Sequence, residues 1–282
     1  MPNLLIFGFG YSGRATALAA KTAGYTVTAT SRTAQPPEPG ITIIPFEDAE
    51  DAIQDATHIL ATAAPGDRGD PILARYGAQI AVSSATWLGY LSTTGVYGNR
   101  DGAWVDEDTP PAPQSDRARR RVNAEAAWRD FAGQCAIDIF RLAGIYGPGR
   151  SMFDDLRDGT ARRVVKPGHL FGRIHRDDIA RGVLAAMQTA PKSGTRIFNF
   201  SDDEPAASAD VVVEAATLLG VEPPAPVPYE DAAPKMSPMG LSFWSENRRV
   251  ANAKTKAALG IEWKYPTYRE GLRGILEQET IG

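Results

Sequence analysis

The sequence of 282 residues is poor in cysteine and histidine, with one and three respectively. The single cysteine, Cys135, excludes an internal disulfide, and its place in the strand-like stretch CAIDIF predicts a small core residue. The histidines, the cysteine and the acidic residues show no metal-ligand spacing, so no metal site is predicted.

Long apolar runs and excess positive charge are also missing. Without an apolar run of about eighteen residues, no membrane span is expected. The formal net charge of −4 argues against a general nucleic-acid binder. The start MPNLLIFGFG has no basic segment and its apolar run ends at glycines, so we expect no signal peptide. These absences favour a cytoplasmic protein.

Short β-rich runs alternate with helical stretches through the first two thirds of the chain. The runs are LLIFG, TVTATS, ITIIPF, HILATAA, LGYLST, AIDIFRL and RIFNFS. This alternation predicts an α/β fold with a mainly parallel, doubly wound sheet. After Glu222 a proline-rich segment indicates a meandering loop, residues 245–260 resemble a helix, and a terminal helix is expected to begin near Tyr268.

A glycine-rich loop directly follows the first apolar strand and opens a helix. Its sequence is G-F-G-Y-S-G, and the residues predicted to contact a dinucleotide are Gly8, Gly10, Tyr11, Ser12 and Gly13. The first glycine permits a tight turn, the second lets the backbone approach a pyrophosphate, and the third allows close packing of helix on strand. The helix start then offers N–H groups to the phosphates.

The end of the second strand indicates which dinucleotide is preferred. NAD enzymes usually place Asp or Glu there, whereas this chain has Thr30, Ser31 and Arg32. Ser31 can donate to a 2′-phosphate and Arg32 can pair with it. We therefore predict NADP rather than NAD, with a solvated loop arginine as the alternative explanation of Arg32.

Four motifs in order produce a family resemblance. The glycine loop, LSTTGVYG (91–98), RLAGIYGPG (141–149) and RIHRDDIARGV (173–183) together resemble the extended short-chain dehydrogenase/reductase family, the NAD-dependent epimerase/dehydratase group. The resemblance implies a Rossmann domain at residues 1–165, to which about 174–202 return, and a substrate lobe mainly at 166–282.

The resemblance also implies a catalytic set of Ser/Thr, Tyr and Lys, the last two as Tyr-x-x-x-Lys on one helix. Thr93 matches the Ser/Thr position. On the helix, Ser115 and Glu125 match the ends of the family motif, but Arg117 stands at the tyrosine position and Arg121 at the lysine position. Because arginine stays protonated at ordinary pH, Arg117 cannot act as the base.

Two explanations of the arginine-rich helix remain open. Arginines grip carboxylates and phosphates, so Arg117 and Arg121 can hold an anionic substrate, and the Arg121 position should face the nicotinamide ribose. Alternatively, the cluster is a solvated helix face with paired charges. Tyr97 is a further candidate proton donor, although packing is its more common role.

The resemblance places other backbone segments against the cofactor. These are Ala63, Ala64 and Pro65 after the fourth strand, and Leu142 beside the nicotinamide. The family often dimerises through its tyrosine helix, and the arginines here argue against that usual interface, which leaves a homodimer open.

Two functions follow from these observations. The first is an atypical NAD(P)-dependent oxidoreductase or epimerase for a small anionic or nucleotide-sugar-like substrate. The second is a non-catalytic NADP(H)-binding sensor or regulator, which the missing tyrosine favours.

Overall fold

A parallel seven-stranded sheet forms the centre of the computed structural model, which describes residues 1–281. In chain order the strands are β1 (Asn3–Phe7), β2 (Thr26–Ser31), β3 (Ile41–Pro45), β4 (His58–Ala61), β5 (Trp87–Thr93), β6 (Trp104–Val105), β7 (Ala136–Leu142), β8 (Gly144–Tyr146), β9 (Arg163–Val165), β10 (Arg173–His175), β11 (Gly194–Phe200), β12 (Pro226–Pro228) and β13 (Arg249–Val250). The large sheet has the order β3-β2-β1-β4-β5-β7-β11, and all its pairs are parallel. This confirms the predicted doubly wound α/β fold.

The helices cover both faces of the sheet and build the C-terminal part. They are α1 (Tyr11–Thr22), α2 (Glu50–Asp55), α3 (Pro71–Ala81), α4 (Asp116–Arg129), α5 (Met152–Arg157), α6 (Arg176–Gln188), α7 (Ser208–Leu219), α8 (Tyr229–Ala232), α9 (Pro238–Trp244), α10 (Ala253–Leu259) and α11 (Tyr268–Ile281). Small residues such as Ala17 and Ala20 let α1 pack closely on α6 over one face. On the other face, Tyr76 of α3 and Trp128 of α4 lie in a second apolar cluster. Because both faces are covered at the centre of the sheet, strands such as β1 (NLLIF) and β4 (HILA) are mostly apolar.

The strand register brings the carboxyl ends of the central strands together. Phe7 at the end of β1 lies opposite Thr30 of β2 and Ala61 of β4. The order of strands reverses between β1 and β4, which leaves a crevice at this edge of the sheet. Ligands of open α/β sheets bind in such crevices, so the fold itself points to this edge.

Outside the large sheet, the short strands form pairs and several helices pack together. β8 pairs with β10, β9 with β12, and β6 with β13, all parallel. The helices α5, α7 and α11 share an apolar cluster. β11 belongs to the large sheet, while the boundary between two domains near residue 165 stays a prediction.

Two local predictions need correction. Residues 245–260 are not one helix: only Ala253–Leu259 is helical, because β13 pairs with β6 and the Asn247 carbonyl accepts from the N–H groups of Arg100 and Gly102. These tertiary contacts override the local helix preference. The proline-rich segment contains α8 and α9, and Pro238 occupies the first turn of α9, where no N–H donor is needed. The terminal helix does begin at Tyr268.

The start of α6 is capped by a histidine. His175 is fully buried, and its Nδ1 accepts from the backbone N–H of Asp177 at 3.2 Å. Asp177 therefore lies in the first turn of α6. Burial lowers the pKa of His175 to about 4.

Candidate functional site

A cavity of about 660 Å³ opens at the carboxyl edge of the large sheet. Its wall combines the loop at 10–13, the end of β5, the start of α4 and the end of β7 with residues of α9 and the segment before β13. The cavity therefore lies where the crevice of the sheet meets the C-terminal part. Most residues predicted from the sequence to form the site lie on or beside it.

The geometry of the glycine loop explains its three glycines. Gly8 has φ +110°, and a Cβ there would lie 2.4 Å from Thr62 Oγ1. A Cβ on Gly13 would lie 2.0 Å from the Gly8 carbonyl oxygen, so helix and loop can pack this closely only with glycine. A Cβ on Gly10 would meet no protein atom within 4 Å. The loop is thus tightly built on its protein side and open on its cavity side.

The open side of the loop suits a phosphate group. Gly10 is the N-cap of α1 and provides no side-chain cap, so the first N–H groups of the helix are free for a ligand. Tyr11 lines the cavity, and the centre of its ring lies 5.0 Å from the guanidinium carbon of Arg176 and 5.7 Å from that of Arg150. The Tyr11 hydroxyl donates to the Pro148 carbonyl at 3.1 Å, which fixes the ring beside the loop. The residues present therefore fit a dinucleotide pyrophosphate.

The residues predicted to select the cofactor lie at the end of β2. The N–H of Phe9 in the glycine loop donates to the Thr30 carbonyl at 2.8 Å, so Ser31 and Arg32 follow next to the loop. The Ser31 hydroxyl donates to the Thr33 carbonyl in a local turn, and Arg32 is exposed. Both residues lie outside the wall of the main cavity, in a position accessible from solvent.

Thr62, the residue directly after β4, lines the cavity. Its hydroxyl contacts the carbonyl groups of Phe7 and Gly8 at 3.0 Å each and so holds the glycine loop. Ala63, Ala64 and Pro65 continue past this point and do not line the cavity formed by residues 1–281. Sequence reasoning missed Thr62, although a hydroxyl directly after a buried strand marks this position.

Thr93 and Leu142 lie together at the cavity. They are the last residues of β5 and β7 and are directly paired across the sheet. The Thr93 Oγ1 accepts from the backbone N–H of Gly95 at 3.1 Å and caps a short 3-10 helix. Its own proton remains available for a ligand in the cavity.

The structure removes Tyr97 from the candidate proton donors. Its side chain is fully buried, and its hydroxyl donates to Asn199 Oδ1 at 2.7 Å and accepts from Arg141 at 3.0 Å. Burial raises the pKa of Tyr97. Because the hydroxyl points into the core and away from the cavity, packing is the role that its placement supports.

The second half of α4 is anchored in the core. Glu125 is 2% exposed and accepts from Arg141 Nη2 at 2.8 Å and from the Ser92 hydroxyl at 2.6 Å. Trp128 donates to Asp70 at 3.1 Å. These contacts fix how α4 lies on the sheet, and hence where its first half points.

The arginines of α4 divide between two faces. Arg119 pairs with Asp116 at 2.6 Å, and Arg120 pairs with Asp67 at 2.7 Å, both on the surface. Arg117 and Arg121 line the cavity instead. The two alternatives from the sequence therefore apply to different members of the cluster: a solvated face for Arg119 and Arg120, and a cavity position for Arg117 and Arg121.

Charged residues of the C-terminal part complete the cavity wall and were missed by sequence reasoning. Arg248 and Glu246 pair at 2.6 Å, and Phe243 lies against Arg117 with 5.7 Å between its ring centre and the guanidinium carbon. The stretch SENRRV, which contains the pair, carries no motif of its own. The only feature of the sequence that marks this stretch is its high content of charged residues directly after the aromatic residues of α9.

Residues 1–281 include no group of three or more His, Cys, Asp or Glu side chains arranged to hold a metal ion. No helix in this part of the chain is long and apolar enough to span a membrane.

The fold has many relatives among solved structures. MoeE5 in complex with UDP-glucuronic acid and NAD shares the fold with a TM-score of 0.82 over 99% of both chains, at 18% identity. The human epimerase family protein SDR39U1 with NADPH gives a TM-score of 0.78 at 18% identity, over 98% of this chain and 99% of that one. Both likenesses show the fold, and the four motifs in order carry the resemblance of this chain to the extended short-chain dehydrogenase/reductase family.

Other relatives share more of the sequence with this chain. A functionally unknown conserved protein from Silicibacter pomeroyi is 41% identical, with a TM-score of 0.89 over 99% of both chains, and the chain belongs to one family with it. Protein YeeZ of Escherichia coli is 29% identical over 94% of this chain and 97% of its own. A 3-diazoavenalumate denitrifying reductase of Streptomyces is 28% identical over 60% of this chain and 55% of its own. Models of protein families gave no match.

Proposed function

We propose that the protein binds a nicotinamide dinucleotide across the glycine loop, NADP(H) in preference to NAD(H), and acts on a small anionic molecule as an oxidoreductase or epimerase of atypical mechanism. The open space above Gly10, at the free start of α1 and inside the cavity, carries this proposal. A bound nicotinamide would supply or accept a hydride. Ser31 and Arg32 would receive the 2′-phosphate.

The roles of the other residues follow from their places on the wall. Thr93, at the end of β5, would donate a hydrogen bond to the reacting oxygen of the ligand. Arg117 and Arg121 cannot exchange protons at neutral pH, so they would orient and stabilise negative charge. Leu142 would provide an apolar contact for the nicotinamide side.

The absence of a tyrosine from α4 supports a second candidate, an NADP(H)-binding sensor or regulator without catalysis. The observation that favours the enzyme is the extent of the cavity, whose wall runs from the glycine loop past Thr93 to Arg248 and so offers charged side chains to a small molecule.

Calorimetric titration of NADPH and NADH into the wild type and three variants tests the dinucleotide site. A Cβ on Gly10 would enter the open space without meeting a protein atom within 4 Å, and we expect Gly10→Val to abolish binding. Gly133→Val is its control, because a Cβ there is equally unobstructed but lies in a distant loop. Arg32→Ala should weaken NADPH binding and leave NADH binding unchanged. Equal binding by the wild type and Gly10→Val would overturn the proposal.

A further inference from the structure

The cavity carries much more positive than negative charge. The charged residues on its wall, among the residues that the structure describes, are Arg117, Arg121, Arg150, Arg173, Arg248 and Glu246. Glu246 already pairs with Arg248 at 2.6 Å, so no carboxylate in the wall is left for the others. An anion from outside the chain is therefore the natural counter-charge.

Arg121 is held in place by neutral groups. Its Nη1 donates to the Leu91 carbonyl at 2.7 Å and to the Tyr90 hydroxyl at 2.9 Å. Neither partner neutralises the guanidinium, and both bonds use the same nitrogen. The remaining N–H groups of a fixed, planar cation stay available for a ligand.

Arg117 has no ion pair or hydrogen bond with any side chain of residues 1–281, and it lies one helical turn before Arg121. Its guanidinium lies against the Phe243 ring, which leaves the N–H edge free. Partial burial, and then the charge of Arg121, lower the pKa of Arg117. The Glu246 carboxylate, which is already paired with Arg248, offsets part of this effect. Two like charges thus share one side of the cavity without a carboxylate partner of their own, and a bound anion would relieve both.

Arg121 lies close to the end of β5, where Thr93 lines the cavity. Arg121 bonds to the carbonyl of Leu91, two residues before Thr93 on the same strand. A methyl group built on Gly95 would lie 3.3 Å from Thr93 Oγ1 and 3.9 Å from Arg248 Nη2. Arg121 and Arg248 therefore both lie near the end of β5, which is where the proposed function places the reacting group.

We infer that Arg117 and Arg121 bind an oxyanion group of the ligand, a carboxylate or a phosphoryl group, that lies beside the ligand's reacting carbon. The ligand class is then a small acid with its charge next to the reacting centre, in contrast to a nucleotide sugar, in which the diphosphate is remote from the sugar carbon that reacts. The position of the reacting carbon rests on the proposed function, whereas the anion site itself does not.

Titration calorimetry with malonate and with inorganic phosphate at low ionic strength tests this inference. Arg119→Gln is the matched control, because Arg119 lies on the same helix but pairs with Asp116 on the surface. We expect the wild type and Arg119→Gln to bind at least one of the two anions equally, and Arg117→Gln to bind it at least tenfold more weakly. Arg117→Lys, which keeps the charge but loses the planar fork, should fall between them. The preferred anion separates a carboxylate from a phosphoryl group as the recognised chemistry.

The same samples are then titrated with NADPH, so that the two proposals can fail separately. Intact NADPH binding together with anion binding that Arg117→Gln leaves unchanged, or with no anion binding, would overturn this inference alone. Loss of anion binding in Arg117→Gln without any NADPH binding would support the anion site and overturn the dinucleotide proposal. Thermal unfolding of each variant verifies that it is folded.

Discussion

The two halves of α4 differ in whether their charged side chains have a partner of opposite charge. The second half buries its glutamate and its tryptophan, and each has a hydrogen-bonded partner in the core: Glu125 with Arg141, and Trp128 with Asp70. The first half presents Arg117 and Arg121 to the cavity without a carboxylate partner. The charges of a buried ion pair neutralise each other and cannot bind a ligand. An arginine without a carboxylate partner in a cavity, by contrast, favours the binding of an anion. The comparison suggests that one half of the helix serves stability and the other serves recognition.

The largest effect is expected from Glu125→Gln. The substitution leaves the buried Arg141 charge without its partner and should lower the free energy of unfolding by about 3–5 kcal/mol. Urea denaturation measures this change, with the exposed Glu277→Gln as control. Equal stability of both variants would mean that the second half of α4 is not an anchor.

A smaller loss is expected from Trp128→Phe. The phenyl ring keeps the contact with Tyr90, but Asp70 Oδ2 loses its indole donor, which should lower the free energy of unfolding by about 1–3 kcal/mol. Trp104→Phe, at a tryptophan that is 56% exposed, is the control and should leave stability unchanged. A loss of the same size in both variants would contradict the assigned anchor.

The starts of α6 and α4 differ in charge. At the start of α6 the buried His175 is neutral, whereas at the start of α4 the charged Arg117 lines the cavity. The pKa of His175 is about 4 in the folded protein, against about 6.5 when unfolded. As the pH falls from 6.5 to 4, the unfolded chain takes up the proton first, so stability is lost over this window and is retained above it.

His175→Asn keeps an acceptor for the Asp177 N–H and removes the titration. Urea unfolding at a series of pH values should show a flatter decline between pH 6.5 and 4 than in the wild type. An unchanged slope would show that His175 does not contribute to the acid sensitivity.

The smallest effect is expected at the exposed face of α4. Arg119→Gln removes a surface pair with Asp116 and should change neither the denaturation midpoint nor dinucleotide binding. A clear loss of either would show that the surface face of α4 contributes to the function of the cavity.

Short stretches of sequence were sufficient to predict where the glycine loop and the large sheet lie in the chain. The glycine loop, its strand and its helix are short-range features. Ser115, which matched one end of the family motif, is the N-cap of α4, where its hydroxyl accepts from the Ala118 N–H. The order of seven β-rich runs predicted the large sheet, because its central strands are covered on both faces and are therefore rich in apolar and β-branched residues.

The remainder depended on contacts between distant parts of the chain. The direction of the Tyr97 side chain is set by Asn199 and Arg141, which no pattern around residue 97 reveals. Glu246 and Arg248 reach the cavity because β13 pairs with β6, a contact across more than a hundred residues. The same pairing ended the helix that was predicted for residues 245–260.

The stability of Arg117→Gln, measured by urea denaturation beside Glu125→Gln, tests the division of α4 most directly. Because Arg117 is accessible from solvent and unpaired, we predict a free energy of unfolding within about 0.5 kcal/mol of the wild type, together with the loss of anion binding. A destabilisation as large as that of Glu125→Gln would show that Arg117 is a structural residue, and would contradict the assignment of the first half of the helix to recognition.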